Sequence, residues 1–501
     1  MLFNSFAFAV FFPLIFILYW SVFNRHNVKL RNLFLLTASY VFYGWWDWRF
    51  LSLIIISSLQ DFLIGKYLHK LNLKEGTLET NEVALKEIRR KKKIWLWVSI
   101  VVNIGFLGFF KYFNFFADSL IDLFALINVH LSATTLNIVL PVGISFYTFQ
   151  TLSYTIDMYH KKAEPAKDWI QFFAFVSFFP QLVAGPIERA KNLLPQFETI
   201  KKPNYKIFRS AMLLIAWGFF KKIMIADRLA VFVEKVYDNP AAANGFPMIL
   251  GVAFFAFQLY LDFSAYSDIA RGTGTLFGFR LMRNFNNPYL STSFGNFWKR
   301  WHISLSSWFM DYVYIPLGGS RKGGARTILN VLIVFAISGL WHGASWNFVI
   351  WGTLNALFMI ALDPILNFNR RNLPKTETEK FIPHIFKSLL IFAAWSVSLV
   401  FFRAKGFDAA IDGFKNLGFA NISEIVNFGL NNAELKLSFM LLSILLLKEI
   451  LWEWKGETIE TRFYKIPGLF RWIFYIVLVL SIVYFGQYGT GNEHSFIYFQ
   501  F

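Results

Sequence analysis

The 501-residue chain contains no cysteine. That absence removes disulfides, thiolate metal sites, iron–sulfur clusters and a cysteine nucleophile together. Charge is scarce as well, at 16% of residues, against about 25% in soluble domains. No G-x-S-x-G elbow, P-loop, H-E-x-x-H helix or dinucleotide fingerprint occurs, and no internal repeat or low-complexity segment stands out. What fills the space is apolar: 56% of residues, including 62 Phe, 18 Trp and 20 Tyr. A soluble protein of this length has no interior large enough for so many aromatics. Disorder, coiled coil and small secreted domain are excluded, and an integral membrane protein is left.

Thirteen apolar runs are long enough to matter: Phe6–Phe23, Asn32–Trp46, Leu51–Ile64, Ile94–Ala117, Leu136–Thr155, Trp169–Ala184, Phe208–Ile225, Met248–Phe263, Thr327–Leu340, Ser345–Leu362, Ile385–Phe402, Leu437–Leu451 and Leu469–Phe485. Runs hydrophobic on all sides read as helices, because a lone strand cannot satisfy its backbone in lipid. The expected fold is all-α and polytopic, with 10 to 13 spans of about 20 residues each. Phe6–Phe23 has no basic residue ahead of it and no small-residue cleavage site after it. It reads as a retained span that starts outside, not as a cleaved signal.

Net charge is +18, which in a soluble protein would point to nucleic acid. Here membrane topology explains it, since cytoplasmic loops collect Lys and Arg. The polar stretch Lys66–Lys93, with nine basic residues and four Glu, reads as a cytoplasmic loop. Asp118, Asp122 and His130 mark an outward stretch, and His160 to Lys167 a return inside. Alternation then fails twice. Arg189, Lys191, Lys201 and Lys202 put both flanks of Trp169–Ala184 inside. Arg280–Arg326 is basic, rich in Gly and Pro, and studded with aromatics. Short re-entrant helices in Gln171–Pro195 and Arg280–Gly324 resolve both conflicts, because irregular backbone at membrane depth must be buried in protein or line a cavity.

Two of the eight histidines stand apart. His342 lies in SGLWHG between two apolar runs, and His302 in WKRWHIS within the broken aromatic segment. A membrane penalises ionisable residues, so such a histidine is a functional candidate. Burial disfavours imidazolium and leaves the neutral ring, the form that acts as a base. A structural histidine bonded to a backbone carbonyl is the alternative. No metal site is expected, because the two are 40 residues apart without a ligand motif. Asp262 and Asp268 end an apolar helix. They read as acids paired with Arg271 or Arg280, or as contacts to a substrate hydroxyl.

Several stretches carry a resemblance. LDFSAYSDIA and NFNNPYLSTSFGNFWKRWHISLSSWFMDYVYIPLGG, within Leu261–Gly319, resemble the signature of the membrane-bound O-acyltransferase superfamily. The chain is similar in particular to its bacterial branch of alginate and peptidoglycan O-acetylation membrane proteins. SFYTFQTLSYTIDMY (145–159), FPQLVAGPIER (179–189), GLWHGASWNFVIWG (339–352) and the closing FIYFQF (496–501) match the same branch. The resemblance implies one membrane domain over residues 1–501, with a core at about 136–365 and helices around a central tunnel. It makes His342 the essential histidine and His302 the second of the site. In one departure, Met310 stands before Asp311 where relatives carry Arg.

The implied activity moves an acyl group, foremost acetyl, from a cytoplasmic thioester towards hydroxyls of an exported or cell-wall polysaccharide. Acyl transfer needs a base for the hydroxyl proton and donors for the developing oxyanion. His342 would be the base, and Asn347, Ser304, Asp311, Asp262 and His302 are the substrate or oxyanion candidates. Lys299, Arg300, Arg321 and Lys322 are candidates for the donor's phosphates. No resident cofactor or metal is expected, and acetyl-CoA or a carrier-protein thioester is the donor substrate. Expected partners are the lipid bilayer of the cytoplasmic membrane, the polysaccharide, an acyl carrier protein and an extracytoplasmic acyltransferase or esterase-like protein, with no nucleic acid. Two other readings remain open: a D-alanyl transfer protein for teichoic acid, and a transporter. The closing aromatics Tyr498, Phe499 and Phe501 suit the interfacial belt, so the tail is expected to dock on the body.

Overall fold

The computed structural model describes residues 1–25, 27–78, 82–130, 136–366, 381–455, 463–487 and 496–497. Among them the chain is helical, with no strand and one isolated bridge between Gly245 and Leu417. Eight helical stretches are long and apolar enough to cross a membrane: Phe6–Phe23, Val28–Thr77, Glu82–Ala125, Phe246–Leu276, Gly324–His342, Trp346–Leu366, Pro383–Arg403 and Gly468–Phe485. They contain nine of the thirteen apolar runs, because the second and third share Val28–Thr77. The protein is a multi-pass membrane protein. The four runs outside this set have local reasons. Helix formation in 136–155 waits until Ile144, after Pro141 and a left-handed Gly143 (φ +76°). The helix in 169–184 stops at Ser177. Charged residues, Lys221 and Lys222 in one run and Lys448 and Glu449 in the other, interrupt the last two.

The chain packs as two compact units. The first comprises Met1–Met212 and Ala270–Met282. It holds α1 (Phe6–Leu18), α2 (Val28–Asp47), α3 (Leu51–Thr77), α4 (Glu82–Leu107), α5 (Phe113–Ala125), α6 (Ile144–Tyr159), α7 (Trp169–Ser177), α8 (Ala190–Leu193) and the N-terminal half of α9 (Tyr205–Phe219). Side-chain caps start several of these: Ser5 accepts from the Phe8 N–H, Asn27 from Lys29 and Leu30, and Asp168 from Gln171. The stretch read as a cytoplasmic loop, Lys66–Lys93, is instead largely the ends of α3 and α4. Its Lys, Leu and Glu residues are strong helix formers. Glu75 ties the two ends by pairing with Lys92 at 2.9 Å and Arg89 at 3.2 Å. After α7 the backbone of 178–189 leaves the helix while its side chains stay buried, an irregular segment containing Pro180 and Gly185-Pro186, residues that do not continue a helix.

A polar clasp joins three helices of this unit. Asp61 of α3 accepts from Ser99 Oγ (2.6 Å) and Asn103 Nδ2 (2.8 Å) of α4, and from Thr155 Oγ1 (3.1 Å) of α6. Asn103 Oδ1 in turn accepts from Ser57 (2.9 Å) and Thr151 (3.3 Å). Each helix contributes an i, i+4 pair, so the clasp fixes rotation as well as spacing. Removing the carboxylate strands three buried donors at once. Asp61→Leu is therefore expected to cost about 2 kcal/mol, since the unfolded chain in a bilayer also finds polar partners. Asp61→Asn should fall between it and the native protein. Thermal unfolding in detergent, read by helical circular dichroism, measures this; an unchanged midpoint for Asp61→Leu would refute the clasp.

The second unit comprises Leu213–Ile269 and Arg283–Phe501. It holds α10 (Asp227–Asp238), most of α11 (Phe246–Leu276), α12 (Phe294–Trp298), α13 (Ile303–Phe309), α14 (Gly324–His342), α15 (Trp346–Leu366), α16 (Phe381–Arg403), α17 (Phe407–Lys415), α18 (Asn432–Lys455) and α19 (Gly468–Phe485). The segment 283–323 is broken into short helical pieces, as its Gly, Pro and aromatic content predicted. Its rings supply much of the core: Phe297 lies 5.5 Å from Trp301 and 4.7 Å from Trp395 between ring centroids.

Candidate active site

α14 ends at His342 because Gly343 turns to extended backbone, and Gly343–Ser345 returns the chain into α15. The two helices touch through glycine. A Cβ on Gly339 would sit 2.1 Å from the Phe348 carbonyl oxygen, and one on Gly352 would sit 2.2 Å from that of Phe335. Close backbone approach through small residues is how helices pack tightly within a membrane. His342 is thereby held 5.0 Å from the Trp351 ring and 5.7 Å from Phe402.

His302 reaches the same place from the broken segment. It takes a left-handed conformation (φ +42°), uncommon for a side chain of this size, and caps the start of α13. Asn284 holds it there. The Asn284 carbonyl accepts from Ile303, its Oδ1 from the Ser304 N–H at 3.3 Å, and its Nδ2 donates to Ser267 at 3.1 Å. The two imidazoles stand 6.4 Å apart between centroids, and Phe263 closes on His302 at 4.6 Å. Both are buried. Burial, reinforced by the neighbouring His342, pushes the His302 imidazole well below the ordinary histidine range and so keeps it neutral. The neutral His302 ring and the His342 ring beside it lie among Trp and Phe side chains, where a proton passed between substrate groups is shielded from water.

The other expected residues scatter. Ser304 is fully buried two residues after His302. Asn347 is buried and spends an N–H on the Ala404 carbonyl at 3.2 Å, which makes it a tether between α15 and the end of α16. Asp262 pairs with Lys222 at 2.6 Å and accepts the Ile497 N–H at 2.7 Å. Phe496 places its ring 4.6 Å from the same lysine. These two residues of the closing motif thus dock on α11, whereas Tyr498, Phe499 and Phe501 lie outside the described residues. Asp268 pairs with Lys221 at 2.8 Å. Asp311 is exposed, as are Lys299, Arg321 and Lys322. Arg300 is engaged by Glu453 through two bonds of 2.7 and 2.9 Å. Among the described residues no cluster of His, Asp and Glu is arranged to hold a metal ion.

The sequence profile of the membrane-bound O-acyltransferase family matches residues 96–402, which include both histidines. The chain belongs to that family. It is an O-acyltransferase of the membrane. The protein named "probable alginate O-acetylase AlgI" from Azotobacter vinelandii is 38% identical over 417 residues, 82% of this chain and 76% of that one. The peptidoglycan O-acetyltransferase of Helicobacter pylori is 32% identical over 419 residues, 78% of this chain and 74% of its own. The teichoic acid D-alanyltransferase of Streptococcus thermophilus matches less, at 27% over 241 residues, 44% of this chain and 56% of its own. Asn284, the residue that pins the 302–304 backbone, was not singled out from sequence. Its signal lay in the NFNNPYL stretch, where a polar amide recurs beside apolar rings.

Proposed function

We propose that this O-acyltransferase moves an acetyl group from a cytoplasmic thioester towards hydroxyls of an exported or cell-wall polysaccharide, at the cytoplasmic membrane. The observation that carries the reading is the buried His342–His302 pair at the meeting of α13, α14 and α15. His342 takes the proton of the attacking hydroxyl as the oxygen bonds to the thioester carbonyl. The same proton then goes to the departing thiolate. Ser304 and His302 are the candidates to steady the oxyanion. The names of the alginate and peptidoglycan O-acetyltransferase relatives, and their coverage of most of this chain, support polysaccharide and acetyl. The shorter, weaker match to the D-alanyltransferases disfavours D-alanine. An extracytoplasmic partner that receives the acyl group, and a carrier protein that brings it, remain compatible with this chemistry.

The reading fixes a direction. The basic stretches Lys66–Lys93 and Arg280–Arg326 face the cytoplasm by the positive-inside rule, so an anionic thioester enters there. In sealed vesicles of known orientation, labelled acetyl-CoA on the cytoplasmic side is expected to label a polysaccharide acceptor. Label arriving only from the opposite side would overturn the relay. Labelling by D-alanyl carrier protein in place of acetyl-CoA would favour the teichoic acid reading.

A further inference from the structure

α4 has two contrasting faces. The inner one, with Lys92, Ser99 and Asn103, is buried and carries the clasp to Asp61. On the outer one Arg90, Lys93, Ile94, Trp97, Val98 and Val101 are exposed and line a groove of about 560 Å³. The lining is ordered along the helix: two cations, then the indole, then valine, over a rise of about 16 Å from Arg90 to Val101.

Arg90 and Lys93 belong to five consecutive cations, Arg89 to Lys93, of which the other three are bonded. Arg89 and Lys92 meet Glu75 at 3.2 and 2.9 Å, and Lys91 meets Glu87 at 2.6 Å. Glu75 also takes Lys161 at 3.0 Å, so these two carboxylates serve four cations. Arg90 and Lys93 bond to no carboxylate among the described residues. Glu87 acts on Arg90 through space, but its charge is already matched by Lys91. The charged end of the groove therefore stays positive.

We infer that this face of α4 is a binding site for an anionic phospholipid, with the phosphate at Arg90 and Lys93 and an acyl chain along Trp97 to Val101. Cations at the end of a membrane span attract anionic headgroups, Trp favours the headgroup boundary, and valine adds an apolar bed with no polar atom to satisfy. The order of the lining selects the ligand. A soluble phosphate ester would leave the apolar part bare, and a zwitterionic lipid brings an ammonium that the two cations repel. The inference does not rest on the acyl-transfer reading.

The chain contains no cysteine, so single labels test the site cleanly. Ile104 is exposed one turn beyond the groove, and Val479 is exposed on α19. Full-length protein with bimane on Ile104→Cys or Val479→Cys is placed in vesicles of equal phosphatidylglycerol and phosphatidylcholine, one of the two carrying brominated chains. Quenching at Ile104 should favour brominated phosphatidylglycerol at least fivefold, about the factor that one cation near an anionic surface supplies, and quenching at Val479 should favour neither. In the Ile104→Cys background, Arg90→Gln and Lys93→Gln should each lower the preference several-fold and together abolish it. Arg89→Gln, the same charge loss at a residue outside the groove, should leave it within twofold. Equal quenching by the two lipids at Ile104 leaves only bulk lipid there and overturns the site, as does a preference that survives the double substitution. Quenching at Ile104 by neither lipid would mean that another protein surface covers the face, and overturns it too. The comparison of Ile104 with Val479 in otherwise native protein decides even if a charge variant fails to fold.

Discussion

His342→Ala is expected to lower acyl transfer about a thousandfold, within the range that loss of a positioned general base produces. The protein should still insert and unfold at the native temperature. The ring is buried between Trp351 and Phe402 and ends α14 rather than bridging it, so its loss leaves a small void at a helix terminus. His302→Ala should cost less in rate, because His302 orients and buffers a pair in which His342 takes the proton. It should cost more in stability, because Ala is no better suited than His to φ +42° and loses the contact with Phe263. Turnover and unfolding midpoint, measured on the same purified preparations, separate the two. Native turnover in His342→Ala would leave the histidine a structural one.

Much of this architecture is written in composition, because a bilayer leaves helix as the natural answer for a long apolar run. Phe6–Phe23 and Leu469–Phe485 are helices almost to the residue of their hydrophobic limits. The broken character of 283–323 was legible too, since Gly, Pro and basic residues among aromatics fit neither a span nor a free loop. What sequence left open depends on partners far along the chain. Nothing local marks Glu453 as the partner of Arg300, 153 residues away, so Arg300 read as a donor contact. Nothing local tells Lys222 from any other lysine until Asp262, Asp227 and the Ile497 N–H converge around it. The Lys66–Lys93 stretch misled for a different reason. Polarity there reports exposure, and exposed Lys and Glu continue a helix as readily as they leave one.

The proximity of the histidines was readable only as a motif, and its physical cause lies in residues without side chains. Gly339→Ala is therefore expected to cut acyl transfer about a hundredfold, although it adds one methyl group three residues from His342. That methyl would stand 2.1 Å from the Phe348 carbonyl oxygen, a backbone atom that cannot rotate away. α14 and α15 must part by an ångström or so, and overpacking of this kind costs about 1–3 kcal/mol. The displacement carries His342 away from the ring it faces on α13, and a shift of about 1 Å in a reacting group costs on the order of a hundredfold in rate. Gly324→Ala, at the other end of the same helix, meets nothing within 4 Å and should be neutral. Comparing the two variants removes any general effect of alanine in α14. If Gly339→Ala turned over substrate at the native rate, the glycine contact would not be what positions His342.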